Sequence, residues 1–309
     1  MSASSPHIND APIFLQPWFL RSLVGDDLVI AEYQSGGVEA FWPMQLRKAA
    51  TFQILQSPDL VPYTGPWFNY PEDMGSSKRA REFRKGVSAL LKGFPPHHAL
   101  FGRMSPAVGD FLTLHWEGAT VKPRITYRIQ ADKTLEEINK RMKSSNQRNI
   151  NKAKSLRLVE ESDTSTLWHL SQKTFGRQDL EPHFDGEQLS RVFSACAERG
   201  VSRLLSARDE EGNPHSAILF VRDEHFVYYY LGGSDPVFRN SEAFSALIWE
   251  GIKWSRKLGL GFDFEGSMHE PIARFFRSWG ADREVYYEIE RFNSRWAKLL
   301  FTLKKAVRK

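Results

Sequence analysis

The chain of 309 residues contains a single cysteine, Cys196. One thiol excludes an internal disulfide and any cysteine-cluster metal site. Cys196 shares helical spacing with Leu189, Val192 and Phe193, which marks it as a small buried side chain rather than a nucleophile. No run of about 18 apolar residues occurs, so no membrane-spanning helix is expected. Met1 to Asp10 is polar, with no basic flank before an apolar stretch, so no secretory signal is expected there. His97, His98 and His183 lack metal spacing: there is no His-Glu-x-x-His and no acidic triad around them. A Gly-x-Ser-x-Gly elbow, a Walker loop and a dinucleotide fingerprint are also missing. These absences exclude several enzyme classes and lead us to expect a soluble, cytoplasmic protein without a metal.

What is present is aromatic and unevenly charged. With 9 Trp, 22 Phe and 41% hydrophobic residues, the chain can bury a sizeable core in one large domain or two ordinary ones. The net charge of +5 is modest, but residues 140–157 hold seven Lys/Arg and no Asp or Glu. A second cluster runs from Lys78 to Lys85. Such patches bind phosphates, nucleic acid or an acidic membrane face, or are solvated helix faces. In the C-terminal segment, Trp296, Leu299, Leu300 and Leu303 fall on one helical face, with Lys298, Lys304, Lys305, Arg308 and Lys309 elsewhere. Two readings stand: peripheral contact of 294–309 with an anionic membrane, or a final helix packed on the second lobe.

Two blocks repeat in the same order. Leu28–Ala31, Gly36-Gly37 and Ala40-Phe41 resemble Leu204–Ala207, Gly212 and Ala217–Phe220 as hairpins. Trp116-Glu117-Gly118-Ala119 followed by Ile125–Ile129 resembles Trp279-Gly280-Ala281 followed by Val285–Ile289. In the second block, Thr134-x-x-Glu137 predicts a capping box, Asn240 or Ser241 a cap for a long helix ending at Gly259, and Ser267-x-x-Glu270 a further capping box. Between these helices, Phe262-Asp263-Phe264-Glu265-Gly266 reads as a strand with phenyl rings on one face and carboxylates on the other. Two carboxylates at the end of a buried strand are costly unless paired or exposed at a site.

Antiparallel strands, one long helix, one parallel strand, a short helix and a last strand form the order of a GNAT lobe. The chain resembles the FemAB/FemX-like branch of the GNAT acyltransferases. The resemblance rests on Arg148–Ala153, Thr174 with Arg177, Trp249-x-x-Ile252, Phe262–Gly266, Phe275–Gly280 and the first-lobe loop Pro62–Pro66. It implies an α/β (α+β) fold of two tandem GNAT-like lobes, each a mixed, mainly antiparallel sheet flanked by helices. The division expected is 1–130 and 131–309, the second lobe carrying the basic C-terminal helix.

The resemblance also implies acyl or aminoacyl transfer to a primary amine of a small molecule or cell-wall (peptidoglycan) precursor. The expected co-substrate is aminoacyl-tRNA, which would make tRNA a partner, or acyl-CoA. No cofactor is held tightly, and a monomer is expected. An acyl-CoA-dependent N-acyltransferase and a non-catalytic binding module are the alternatives. Asp263 and Glu265 are the candidates for amine binding or proton transfer. Arg177, Tyr229 and Tyr63 are candidates for substrate contact, and Arg148, Lys152, Arg239 and Asn240 for phosphate or donor contact. Two departures from the family pattern stand out. Gly232-Gly233 precede the loop where a coenzyme A pyrophosphate motif would lie, and Phe276 replaces a family lysine.

Overall fold

The computed structural model describes residues 10–49, 51–176, 181–182 and 184–307. Contacts group the chain into two units: residues up to Arg124 together with those from Val285 onward, and Ile125–Glu284. The expected division at residue 131 follows the chain; the contacts instead return its last segment to the first unit.

The first unit contains α1 (Pro17–Val24), β1 (Leu28–Ser35), β2 (Val38–Ala49), β3 (Phe52–Gln56), β4 (Trp67–Asn69), α2 (Ser76–Gly93), β5 (Ala99–Arg103) and α3 (Phe111–Trp116). The strand that follows α3, β6 (Thr120–Ile129), carries the chain into the second unit. There lie α4 (Leu135–Arg141), α5 (Ser144–Lys152), β7 (Arg157–Glu160), α6 (Ser165–Gly176), α7 (Gly186–Ala197), β8 (Ser202–Arg208), β9 (Pro214–Arg222), β10 (Phe226–Ser234), α8 (Ala243–Lys257), β11 (Gly261–Asp263) and α9 (Glu270–Ser278). Finally β12 (Asp282–Phe292) and α10 (Arg295–Val307) lead back to the first.

Strand pairing shows the repeat. In the first unit the order is β1-β2-β3-β5-β12, and only β3 and β5 are parallel, with α2 between them in sequence. In the second it is β6-β11-β10-β9-β8-β7, and only β10 and β11 are parallel, with α8 between them. A parallel pair needs such a crossover, whereas antiparallel neighbours close through short hairpins. Each unit is completed by the final strand of the other repeat. Ile129 and Arg128 of β6 pair with Phe262 and Asp263, and Glu288–Phe292 of β12 pair with Ala99–Arg103.

Each unit has its own core. In the second, α8 turns Leu247, Ile248 and Ile252 inward onto Leu205, Ile218 and Phe220 of the sheet and onto Phe262, all fully or nearly fully buried. In the first, Val87, Leu90 and Leu91 of α2 cover Trp42, Met44, Leu55 and Leu100. Burying such faces is worth about 1.5–3 kcal/mol per large side chain.

The Thr134/Glu137 capping box forms as expected. Three local expectations are corrected. Glu242, at φ +59°, caps α8 rather than Asn240 or Ser241, because Pro236–Ser241 is taken up by a 3-10 turn capped by Asp235. The Ser267/Glu270 box does not form: the α9 cap is His269, whose N–H donates to Ser267 Oγ, and Glu270 pairs with Arg274. The C-terminal helix packs in the first unit, through Phe301 against Phe101 and Phe292, because β12 delivers it there.

Among the described residues no helix is long and apolar enough to cross a membrane. Cys196 is fully buried in α7, and burial pushes its thiol up to about 12. We therefore expect no reaction of the native protein with a disulfide reagent at neutral pH and one equivalent after denaturation, read by thiol absorbance. Ile252→Ala should cost about 2–5 kcal/mol in urea unfolding, the range for a large-to-small core change.

Candidate active site

The site is built around the carboxyl end of β11. Asp263 is completely buried, which requires that its charge be met locally. Thr126 Oγ1 of β6 donates to its Oδ1 at 2.7 Å, and the Glu265 amide donates to the same oxygen at 2.8 Å. Arg128 Nε donates to its Oδ2 at 2.7 Å. The two β6 residues are two apart, so strand alternation presents both on one face, with Arg128 directly opposite Asp263 in register. Arg128 is itself enclosed: Nη1 donates to Glu284 at 2.6 Å and the guanidinium lies 4.3 Å from the Phe226 ring centroid.

This network ends the strand. The expected alternation through Glu265 is corrected: β11 stops at Asp263, and Glu265 adopts φ +56°, a left-handed turn. The chain then follows β6. The Phe264 amide donates to Tyr127 O at 2.9 Å, and at Gly266 a Cβ would stand 1.9 Å from Ile125 O, so only glycine fits. Phe262 and Phe264 nevertheless both enter the core, as their alternation predicts.

The neighbouring strand does not follow. β10 continues to Ser234 but pairs with β11 only from Phe226 to Tyr228. Its register against β9 shifts between Tyr229 and Leu231, leaving Tyr230 as the extra residue of a bulge. The parallel strands therefore part at their carboxyl ends, where α/β folds place ligands. Tyr229 stands at the opening against Phe244 of α8 and Phe276 of α9. Burial, with the Glu265 carboxylate adding to it, pushes the Tyr229 and Tyr230 phenols upward.

A cavity of about 420 Å3 extends from Tyr229 between the end of β10, the 3-10 turn, the start of α8 and α9. Phe244, Ile272, Phe275 and Phe276 give it an apolar wall, and Arg239, Glu242 and His215 supply polar groups. That balance suits a small-molecule or cofactor-sized ligand. Its rim is held by Thr174, which accepts from the Ser234 amide at 2.9 Å, and by Lys173, which pairs with Asp235. Burial raises the Asp235 carboxyl, but Lys173 and the Val237 amide outweigh it and hold it below its ordinary value. Gly232-Gly233 serve packing rather than a phosphate loop: a Cβ on Gly233 would lie 2.5 Å from Ser171 N of α6.

Tyr229 and Arg239 line the cavity. Glu265 lies in the turn after β11 and acts on the Tyr229 phenol without lining the cavity, and the other candidates lie apart. Asp263 is enclosed beneath the opening. Asn240 is exposed in the 3-10 turn but is not among the residues lining the cavity. Arg148 and Lys152 are exposed on α5, and two other members of the basic run are paired, Lys140 with Glu136 and Arg141 with Asp282. Tyr63 is buried in the first unit, edge-on to Phe14 and Tyr286. Arg177 and His183 lie outside the described residues. His215 and Glu242 are cavity residues that sequence reasoning missed. His215 stacks on Phe238 at 4.0 Å, and its Nε2 lies 3.2 Å from Asp209 Oδ2. A lone histidine at a strand start carries no motif that would have drawn attention to it. Among the described residues no group of three or more acidic, His or Cys side chains is placed to hold a metal.

Residues 139–286 match the profile of the family described as acetyltransferase (GNAT) domain. The fold is that of the GNAT acyltransferases. FemX superposes over 96% of this chain and 95% of its own, with TM-score 0.68 at 13% identity. L-PGS from Bacillus licheniformis covers 93% and 90%, with TM-score 0.54 at 12% identity. A tandem GNAT protein from the clavulanic acid biosynthesis pathway covers 90% and 88%, with TM-score 0.52 at 9% identity. The chain is thus similar to the FemX-like branch of the GNAT superfamily, with two GNAT-like lobes. No curated protein matches it in sequence.

Two substitutions test the network beneath the opening. Asp263→Ala leaves Arg128 largely buried without its main partner, and should lower unfolding free energy by about 3–5 kcal/mol, measured by denaturant titration. Thr126→Val removes one neutral donor and should cost only about 1 kcal/mol. Equal, small losses would show that the carboxylate does not hold the strand end.

Proposed function

We propose that the second unit transfers an acyl or aminoacyl group to a primary amine at the opening between β10 and β11. The observation that carries this reading is the divergence of two parallel strands beside a bulge. It parts the strands at the wall of a ligand-sized cavity. In the reaction the amine nitrogen attacks the donor carbonyl carbon and a tetrahedral oxyanion forms. The carbon–oxygen or carbon–sulfur bond to the carrier breaks, and the amine gives up a proton. Hydrogen-bond donors lining the cavity stabilise the oxyanion. Glu265 accepts the proton, while Asp263 positions the backbone that presents it. The remaining contribution is orientation of the two reactants.

Donor choice is argued from the cavity's charge. Glu242, at the start of α8, places a carboxylate where a pyrophosphate would approach the helix end, and no glycine-rich loop precedes it. The same carboxylate suits the α-ammonium of an aminoacyl ester. We therefore favour an aminoacyl donor such as aminoacyl-tRNA, acting on a small-molecule or envelope precursor in the manner of FemAB proteins. Arg239, exposed at the cavity, favours the second reading, an acyl-CoA donor.

A thermal-shift series separates the two, because a ligand that binds only the native state raises the melting temperature by mass action. Aminoacyl-tRNA should raise it, uncharged tRNA less, and acetyl-CoA or longer acyl-CoAs not at all. A shift with acyl-CoA alone would replace the aminoacyl reading. With the donor so identified, Glu265→Gln should reduce turnover by about 10²-fold or more with little change in donor binding, the scale of general-base loss. An unchanged rate would remove Glu265 from proton transfer.

A further inference from the structure

We propose that α10 is a surface helix that lays its outer face on an anionic lipid surface. Ser294 immediately precedes the helix, and its Oγ accepts from the Ala297 amide at 3.3 Å. Its inner side is fixed by Ala297, fully buried, and by Phe301, whose ring lies 5.2 Å from Phe101 and 6.2 Å from Phe292. That anchoring determines what faces outward. Trp296 is 76% exposed, Leu299 52%, Leu300 42% and Leu303 57%. At 100° per residue these four fall within one third of the helix circumference, so they form a continuous apolar stripe and not scattered exceptions.

Charge identifies the occupant. From Ser294 onward the sequence contains six Lys/Arg and no acidic residue, four of them within α10. A stripe of Leu and Trp on a helix this basic matches the interfacial zone of a bilayer: aliphatic chains enter the acyl boundary, the indole sits at headgroup level, and the cations meet lipid phosphates. A second copy of the same surface would bring like charges together. The helix is also a convex ridge, which a fluid headgroup layer accommodates without a preformed groove. This inference is independent of the donor and of the transfer reaction.

Vesicle flotation of the full chain tests it. Phosphatidylcholine vesicles containing about one third phosphatidylglycerol should bind at least tenfold more protein than pure phosphatidylcholine, and binding should weaken about tenfold between low and high salt. The double variant Leu299→Glu and Leu303→Glu changes only exposed positions, so circular dichroism and melting temperature should stay at wild-type values while binding falls at least tenfold. Equal binding to both vesicle types, no binding, or retained binding by the folded variant would overturn the proposal. So would a wild-type dimer in light scattering, without vesicles, that the variant abolishes.

Discussion

A single buried carboxylate sets the geometry of the second unit. Asp263 lies at the point where β11 could continue beside β10 or turn toward β6. Donors from Thr126 and Arg128 draw the strand end to β6, and the Glu265 amide closes the turn that follows. A buried ion pair adds little net stability compared with a well-packed apolar pair, because desolvation offsets much of the attraction. It does specify one arrangement, since any other leaves a charge unmet. The opening beside Tyr229, the left-handed turn at Glu265 and the tight passage of Gly266 across Ile125 all follow from that specification.

The exchange of final strands gives this lock its partner. Thr126 and Arg128 belong to the strand that follows the first repeat's α3, yet they satisfy a carboxylate in the second unit. The matching position in the first unit pairs Arg103 with Glu288, and Glu288 in turn accepts from Arg124. Both junctions of β5 with β12 and of β11 with β6 thus carry an acid opposite an arginine. The chemistry is reversed between them, acid on β11 in one and arginine on β5 in the other. Only in the second unit is the acid fully buried.

Much of this was readable in the residues and some was not. Period-two and period-3.6 patterns located the hairpins, the long helix and the core positions Phe262, Phe264, Leu247 and Ile252, because burial imposes those periods directly. The repeat appeared as matched hairpins and matched helix-Gly-strand segments, and those segments are the ones whose strands exchange. Asp263 and Glu265 were singled out as costly, but a one-dimensional pattern treats them alike. One is enclosed by donors about 135 residues away in sequence, and the other sits in a turn created by that enclosure. Ser267 and Asn240 failed as caps because tertiary paths, not local preference, fixed where α9 and α8 begin. His215 and Glu242 carry no spacing signal; only folding brings them to the cavity.

We place the donor in the cavity beside the parted strands. Ile272 lines it and is 42% exposed, so Ile272→Trp can fill the space without disturbing the core. Titration calorimetry of the wild type and this variant with aminoacyl-tRNA and with acetyl-CoA is the most direct measurement. The wild type should bind a donor, and the variant should lose at least tenfold in affinity. Unfolding free energy should stay within about 0.5 kcal/mol, as for surface changes generally. Undiminished donor affinity in the variant would place the donor elsewhere.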